Sequence, residues 1–201
     1  MKMADIKVFN RWDIKGIEVK DPGLVNYITL KPRMVPKTGA KYAGNRFHKS
    51  KILIVERLIN KVMVPGHKAK KHFKTSYHCT GKSHKAYHIV KEAFEIIENR
   101  TKQNPIKVLV RAIENAAMRE EILSIEYGGA RYPKPVECAP QRRVDLALRL
   151  MVQGSYQTSF NSRIPIEQAL ANEIINAYNL SNQSFALRKK LETERQCDAS
   201  R

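Results

Sequence analysis

Five of the six histidines, His67, His72, His78, His84 and His88, fall within 22 residues that also hold Cys79. Imidazole and thiol at that density raise zinc chemistry first. Structural zinc sites set their ligands in tight pairs of the CxxC or HxxxH kind, and no CxxC occurs here. His84 and His88, four apart in a helical pattern, are the pair that could bind one ion together. The remaining spacing reads as an exposed histidine-rich loop whose rings donate to phosphates, so no metal and no other cofactor is expected.

The tetrapeptide TGKS at 80–83 has the ending of a phosphate-binding loop. The complete GxxxxGK[ST] pattern needs glycine at position 76, where Ser76 stands, and a basic segment precedes it in place of an apolar strand. Nucleotide hydrolysis is not expected. Gly81 would still let the backbone approach a phosphate closely, beside a helix N-terminus flanked by Lys82 and Lys85. No GxSxG, HExxH or DxD occurs, and the acidic residues Glu114, Glu120, Glu121 and Glu126 fit solvated faces and helix ends. The chain is not expected to be an enzyme.

Charge is the stronger signal. Lysines and arginines number 37 against 19 acids, a formal charge of +18. From Lys31 to Lys91 there are 16 basic residues and one acid, Glu56, which accounts for +15 of that total. Solubility needs no such bias, since mixed charges serve it as well, so a polyphosphate partner is indicated. Tyr42, Phe47, Phe73, Tyr77 and Tyr87 are interleaved with the basic residues. Phe73 and Tyr77, in a polar stretch, suit base stacking, whereas Phe47 and Tyr87 sit on helical patterns and read as core or core-edge. No apolar run approaches the roughly 18 to 20 residues of a membrane span, and three widely spaced cysteines do not make a disulfide framework. A soluble, intracellular protein that does not bind membranes is expected.

The elements that would position these groups are mostly helical. Residues 1–45, with Pro22, Gly23, Pro32, Pro36, Gly39 and Gly44, show no sustained period and read as an extended basic N-terminal arm. Residues 46–201 read as one helical domain with no internal repeat. A helical pattern begins at Arg46, carries Ile54, Val55, Leu58, Ile59, Val62 and Met63 on one face with a basic opposite face, and stops at Pro65-Gly66. A loop at 66–80 follows, then a helix with Ala86, Val90, Ala93, Phe94 and Ile97 inward. Asn104 caps a third helix and Pro105 takes its first position, with Ile106, Leu109, Val110, Ile113 and Ala117 in the core. A fourth starts near Pro140 and ends at Gly154. The fifth buries Ile166, Leu170, Ile174 and Ala177, and the sixth is anchored by Phe185 and Leu191.

Between the third and fourth helices lies IEYGGARYPKPVECAPQRR, residues 125–143. It reads as a two-stranded hairpin over about 120–138, turning at Gly128-Gly129. Pro133 and Pro135, two apart, remove amides from one edge, so the ribbon resists a third strand. An isolated hairpin is marginal in water, so it should rest on helices at its foot and meet a partner at its tip. Arg131, Tyr132 and Lys134 near the tip, with Arg142 and Arg143 at the foot, suggest RNA. The expected fold is mainly α: a six-helix bundle-like domain with one protruding two-stranded β-hairpin and the arm.

In order and wording, IVERLINKVM, GKSHKAYHIVKEAFEII, NPIKVLVRAIENAAMRE, QRRVDLALRLM, ANEIINAYN and SFALRKKLETER resemble the universal small-subunit ribosomal protein seven family in its archaeal and eukaryotic form, called protein five in eukaryotes. The likeness covers nearly the whole chain, with ADIKVFNRW and KYAGNRFHKSK similar to the eukaryotic arm. It implies a structural protein of the cytoplasmic small-subunit head that binds the 3′ major domain of small-subunit rRNA and supports head assembly. It also implies a hairpin directed at exit-site tRNA and the mRNA exit channel, and neighbouring ribosomal proteins as further partners. Carried over, the rRNA contacts fall at Arg46, Lys49, Lys51, Lys82, Lys85, Arg142 and Arg143, with Arg188, Lys189 and Lys190 of the last helix also close to RNA. Lys68, Lys70 and Lys71, in a stretch inserted relative to the family, join this basic surface, while Arg131, Tyr132 and Lys134 fall near tRNA or mRNA. Ser83 stands where the family usually has a basic residue, and the hairpin has prolines where relatives carry more arginine. A free-standing basic RNA-binding chaperone is the alternative.

Overall fold

The computed structural model describes residues 6–68, 71–72, 74–76 and 79–201, the side chains of 68, 71 and 72 excepted. Lys70, Phe73, Tyr77 and His78 therefore lie outside the described residues, as do the side chains of Lys68, Lys71 and His72. After two short 3-10 turns, Val25–Tyr27 and His48–Lys51, come α1 (Ile54–Val62), β1 (His67–Lys68), β2 (Lys71–His72), α2 (Ser83–Thr101) and α3 (Pro105–Ala116). The hairpin strands β3 (Glu120–Tyr127) and β4 (Ala130–Glu137) precede α4 (Pro140–Ser159), α5 (Ile166–Tyr178) and α6 (Phe185–Ala199). The expected mainly helical fold with one long ribbon is what the described residues form. Among them no helix is long and apolar enough to cross a membrane.

Helix α5 lies against α2, α3 and α4, and α6 closes over α4 and the foot of β3. Phe94, Ile97, Ile106, Leu109, Ile113, Leu148, Met151 and Leu170 fill the centre, each under 2 % exposed. The N-terminal segment belongs to the same core. Val8, Phe9, Trp12, Ile14, Leu24 and Ile28 are buried in it, and Phe9 and Trp12 meet Phe94 edge-on at centroid distances of 6.1 and 5.7 Å. Glu114 of α3 fixes the segment by accepting from the amides of Lys20 at 2.5 Å and Asp21 at 3.2 Å. Asn104 both caps α3, accepting from the Ile106 amide at 3.0 Å, and donates to the Asp13 carbonyl at 2.6 Å.

Four expectations need correction. The first helix starts at Ile54, not Arg46, because Phe47 is left-handed at φ 58° and Ile52 and Leu53 are extended, a backbone that cannot propagate helix. Phe47 is 54 % exposed for the same reason. Gly154 does not end α4, which runs five residues further. It is a close-approach glycine, since an added Cβ would lie 2.6 Å from the Phe185 Cβ and 3.2 Å from the Glu173 Cδ. Leu191 is 50 % exposed, and Ala186, Leu187 and Cys197 hold α6 in place. Tyr87 packs partly buried on the core, as its helical position suggested.

Candidate nucleic-acid interface

A folded cation reaches RNA only if its head group is free of internal partners. Arg46, Lys51, Lys82 and Lys85 are exposed and have no acidic partner among the described residues. The guanidinium of Arg46 instead lies over the Phe47 ring, 5.3 Å from its centroid. The 48–51 turn and the start of α2 border a common cavity of about 550 Å³, which His48, Ile52, Ser83 and His84 help to line. Gly81, at φ 69°, turns the chain into α2, whose N-terminus no side chain caps. Its first amides and the ammonium groups of Lys82 and Lys85 therefore present positive potential on one side.

Other expected contacts hold the protein together. Lys49 binds Asp145 of α4 at 2.7 Å, opposite Arg57, whose side chain is 4 % exposed and reaches the other Asp145 oxygen at 3.2 Å and the Tyr27 carbonyl at 2.8 Å. Burial works against the charged form of Asp145, but the Lys49 hydrogen bond and the charges of Arg57, Lys49 and Lys61 hold its carboxyl below the ordinary value. The basic face expected on α1 is thus folded inward at Arg57.

The hairpin foot follows the same logic. Arg142 grips Glu121 through two nitrogens, Nε to Oε1 and Nη2 to Oε2, the latter at 2.7 Å. That bidentate bond lowers the Glu121 pKa. Burial and the adjacent Glu121 carboxylate push the Cys138 thiol up to about 11, which leaves it protonated and unreactive at neutral pH. Arg143 is 12 % exposed and joins Asp21 at 2.8 Å and the Met118 carbonyl at 3.2 Å. In α6, Lys189 pairs with Glu192 at 2.6 Å, and Lys190, its pKa lowered by burial, donates to the Asn115 carbonyl at 2.8 Å. Arg188 is exposed with no acidic partner among the described residues.

The ribbon is in register from Glu120↔Glu137 to Tyr127↔Ala130, with both turn glycines at positive φ, 58° and 80°. Counting back from the closing pair, Ser124↔Pro133 and Ile122↔Pro135 fall at non-hydrogen-bonded positions. Both prolines therefore turn their missing amides to the outer edge, and the ladder loses nothing. Side chains alternate between faces: Leu123, Ile125, Tyr127, Tyr132 and Lys134 share one, Ser124, Glu126, Arg131, Pro133 and Pro135 the other. Arg131 faces Glu126 at 3.5 Å, whereas Lys134 has no acidic partner among the described residues, on a tip where Tyr127 is 82 % and Tyr132 54 % exposed. The two strands hold four glutamates and two basic residues, an acid excess in a strongly cationic chain.

What the sequence pattern did not reveal is which acids occupy its arginines, among them Asp21 for Arg143, Glu114 for Arg111, Glu121 for Arg142 and Asp145 for Arg57. A single acid inside QRRVDLALRLM was the visible signal for the last.

The model for "Ribosomal protein S7p/S5e" matches residues 24–201. Over 201 residues, all of both chains, the sequence is 56 % identical to "Small ribosomal subunit protein uS7" of Nanoarchaeum equitans. The protein of that name from Methanothrix thermoacetophila is 48 % identical over 196 residues, 98 % of this chain and 100 % of the relative. The one from Archaeoglobus fulgidus is 47 % identical over 197 residues, 98 % and 96 % respectively. With a family match over most of its length and full-length relatives at this identity, the chain belongs to the ribosomal protein S7p/S5e family, whose members are structural rather than enzymatic.

Proposed function

We propose that this protein is a structural constituent of the small ribosomal subunit head. In this reading it binds the 3′ major domain of the rRNA, supports head assembly and extends its hairpin toward exit-site tRNA and the mRNA exit channel. The observation that carries the reading is the sorting of its cations. Arg46, Lys51, Lys82 and Lys85 are exposed with no acidic partner among the described residues, and the last two flank a helix N-terminus that no described side chain caps, the arrangement that receives a phosphate backbone. Arg188 adds a fifth exposed cation with no acidic partner among the described residues. Lys49, Arg142, Arg143, Lys189 and Lys190 act on RNA mainly by fixing the surface that bears the free cations. At the tip, Tyr127 and Tyr132 offer rings for base stacking and Lys134 a phosphate contact, while Arg131 orders the turn through Glu126.

Salt titration of rRNA binding tests the division. Replacing Lys82 and Lys85 together by alanine should flatten the slope of log K against log salt by about 2, close to 1 per lost phosphate contact. Arg143→Gln should lower stability with the slope retained. An unchanged slope for the lysine variant would refute the assignment. Cosedimentation with salt-washed small subunits separates this reading from a free-standing RNA chaperone, which moderate salt would release. Changing Tyr132 and Lys134 should spare assembly and reduce exit-site tRNA occupancy.

A further inference from the structure

We propose that His84 and His88 form a two-histidine chelate for a divalent transition-metal ion of the Zn²⁺ class on the exposed side of α2. The two residues stand four apart in a helix of 19 residues, so their side chains leave the same face one turn apart. Both are exposed. Their Nε2 atoms approach to 3.3 Å, with ring centroids 4.5 Å apart and planes at 62°. Zn–N bonds of about 2.0–2.1 Å meeting at the tetrahedral angle hold two ligand nitrogens roughly 3.3–3.4 Å apart. The separation of the two nitrogens thus already matches the bite of one ion.

In the metal-free chain the approach is a long hydrogen bond between the rings, which an ion would replace. That bond needs one Nε2 protonated and the other bare, and at 3.3 Å it is weak. In the chelate both Nε2 atoms are bare and each proton sits on Nδ1. Ligand type selects the metal: two neutral imidazoles suit Zn²⁺, Ni²⁺ or Cu²⁺, whereas Mg²⁺ and Ca²⁺ require oxygen. Among the described residues no third histidine, cysteine or carboxylate joins the pair, so water completes the coordination in the free protein. Lys82, Lys85 and Lys91 are near in sequence with no acid among them. That positive field weakens the site, and the first acid beyond the pair, Glu92, comes one turn after His88.

The test is Zn²⁺ titration of the full-length chain, read by long-range proton–nitrogen spectra of its imidazoles. Expected is saturation at one equivalent, with the Nε2 signals of His84 and His88 moving together and the other histidines still. His84→Gln and His88→Gln should each weaken binding at least tenfold and abolish the Zn²⁺-dependent rise in Tm. Both sites are exposed, so unchanged circular dichroism establishes that the variants fold. Cys79→Ser should bind as the parent does, and Mg²⁺ should cause no shift. Absence of saturable Zn²⁺ binding would overturn the proposal. So would binding that is lost with Cys79, moves other histidines instead, or survives either glutamine variant.

Discussion

Asp145→Asn tests most directly how this fold disposes of its positive charge. The substitution keeps size and one acceptor but removes the negative charge facing Arg57, whose side chain is 4 % exposed and whose Nε has no partner among the described residues. Burial presses the Arg57 pKa down, and the Asp145 charge and hydrogen bond oppose this. Stripping the partner from a buried ion costs about 3–5 kcal/mol, and the retained amide oxygen argues for about 3. Lys49, at 41 % side-chain exposure, adds little. In a chain of this size that loss lowers Tm by roughly 6–12 °C. In urea the midpoint should fall by about 1 M at unchanged slope. Replacing Arg57 by Met and Asp145 by Leu together should recover at least half the loss, because no buried charge then remains. The pH dependence has a defined sign. The folded carboxyl titrates below its ordinary 3.8, so its contribution is complete above that pH and lost as pH falls through the folded value. The gap between parent and Asp145→Asn should therefore close below about pH 4. A loss under about 1 kcal/mol, or a double variant weaker than the single, would refute the reasoning.

Two further outcomes follow from the α4–α5–α6 corner. Gly154→Ala should lower stability by about 1–2 kcal/mol in thermal melts, since the new methyl meets the Phe185 Cβ at 2.6 Å and this overpacking exceeds the gain in helix propensity. Glu173 accepts from the Ser184 hydroxyl at 2.7 Å and the amides of Phe185 and Ala186 at 3.2 and 3.0 Å, capping α6 from another helix. Glu173→Ala should cost about 2–4 kcal/mol and Ser184→Ala about 1, with a double-mutant cycle showing coupling because the two share one bond.

Local signals in the sequence carried much of this architecture. Asn104-Pro105 announces α3, the 3.6-residue stripes of α2, α3 and α5 point inward as read, and Gly128-Gly129 sets a hairpin whose prolines face out. Those features are decided within a few residues. Gly154 carries the same local signal as a helix stop, yet its role is set by Phe185, more than thirty positions later. The start of α1 depends on a left-handed Phe47, which no periodicity announces. The positive surface was legible in its charge and not in its wiring. Whether an arginine faces RNA or an internal acid depends on partners 21 residues away for Arg142, 96 for the Lys49–Asp145 pair and 122 for Arg143.

The Asp21–Arg143 pair and the Glu114 grip on residues 20 and 21 also bear on the order in which the chain is made. The segment from Val8 to Ile28 is made before the surface it packs on: its partners on α2 and α3 follow up to 94 residues later, and the arginine that locks it 122 residues later. Until α2 is made, Phe9 and Trp12 lack Phe94, the ring both of them meet, which is the situation in which contacts distant in sequence slow folding and invite wrong association. The segment is therefore made well before it can reach its native place.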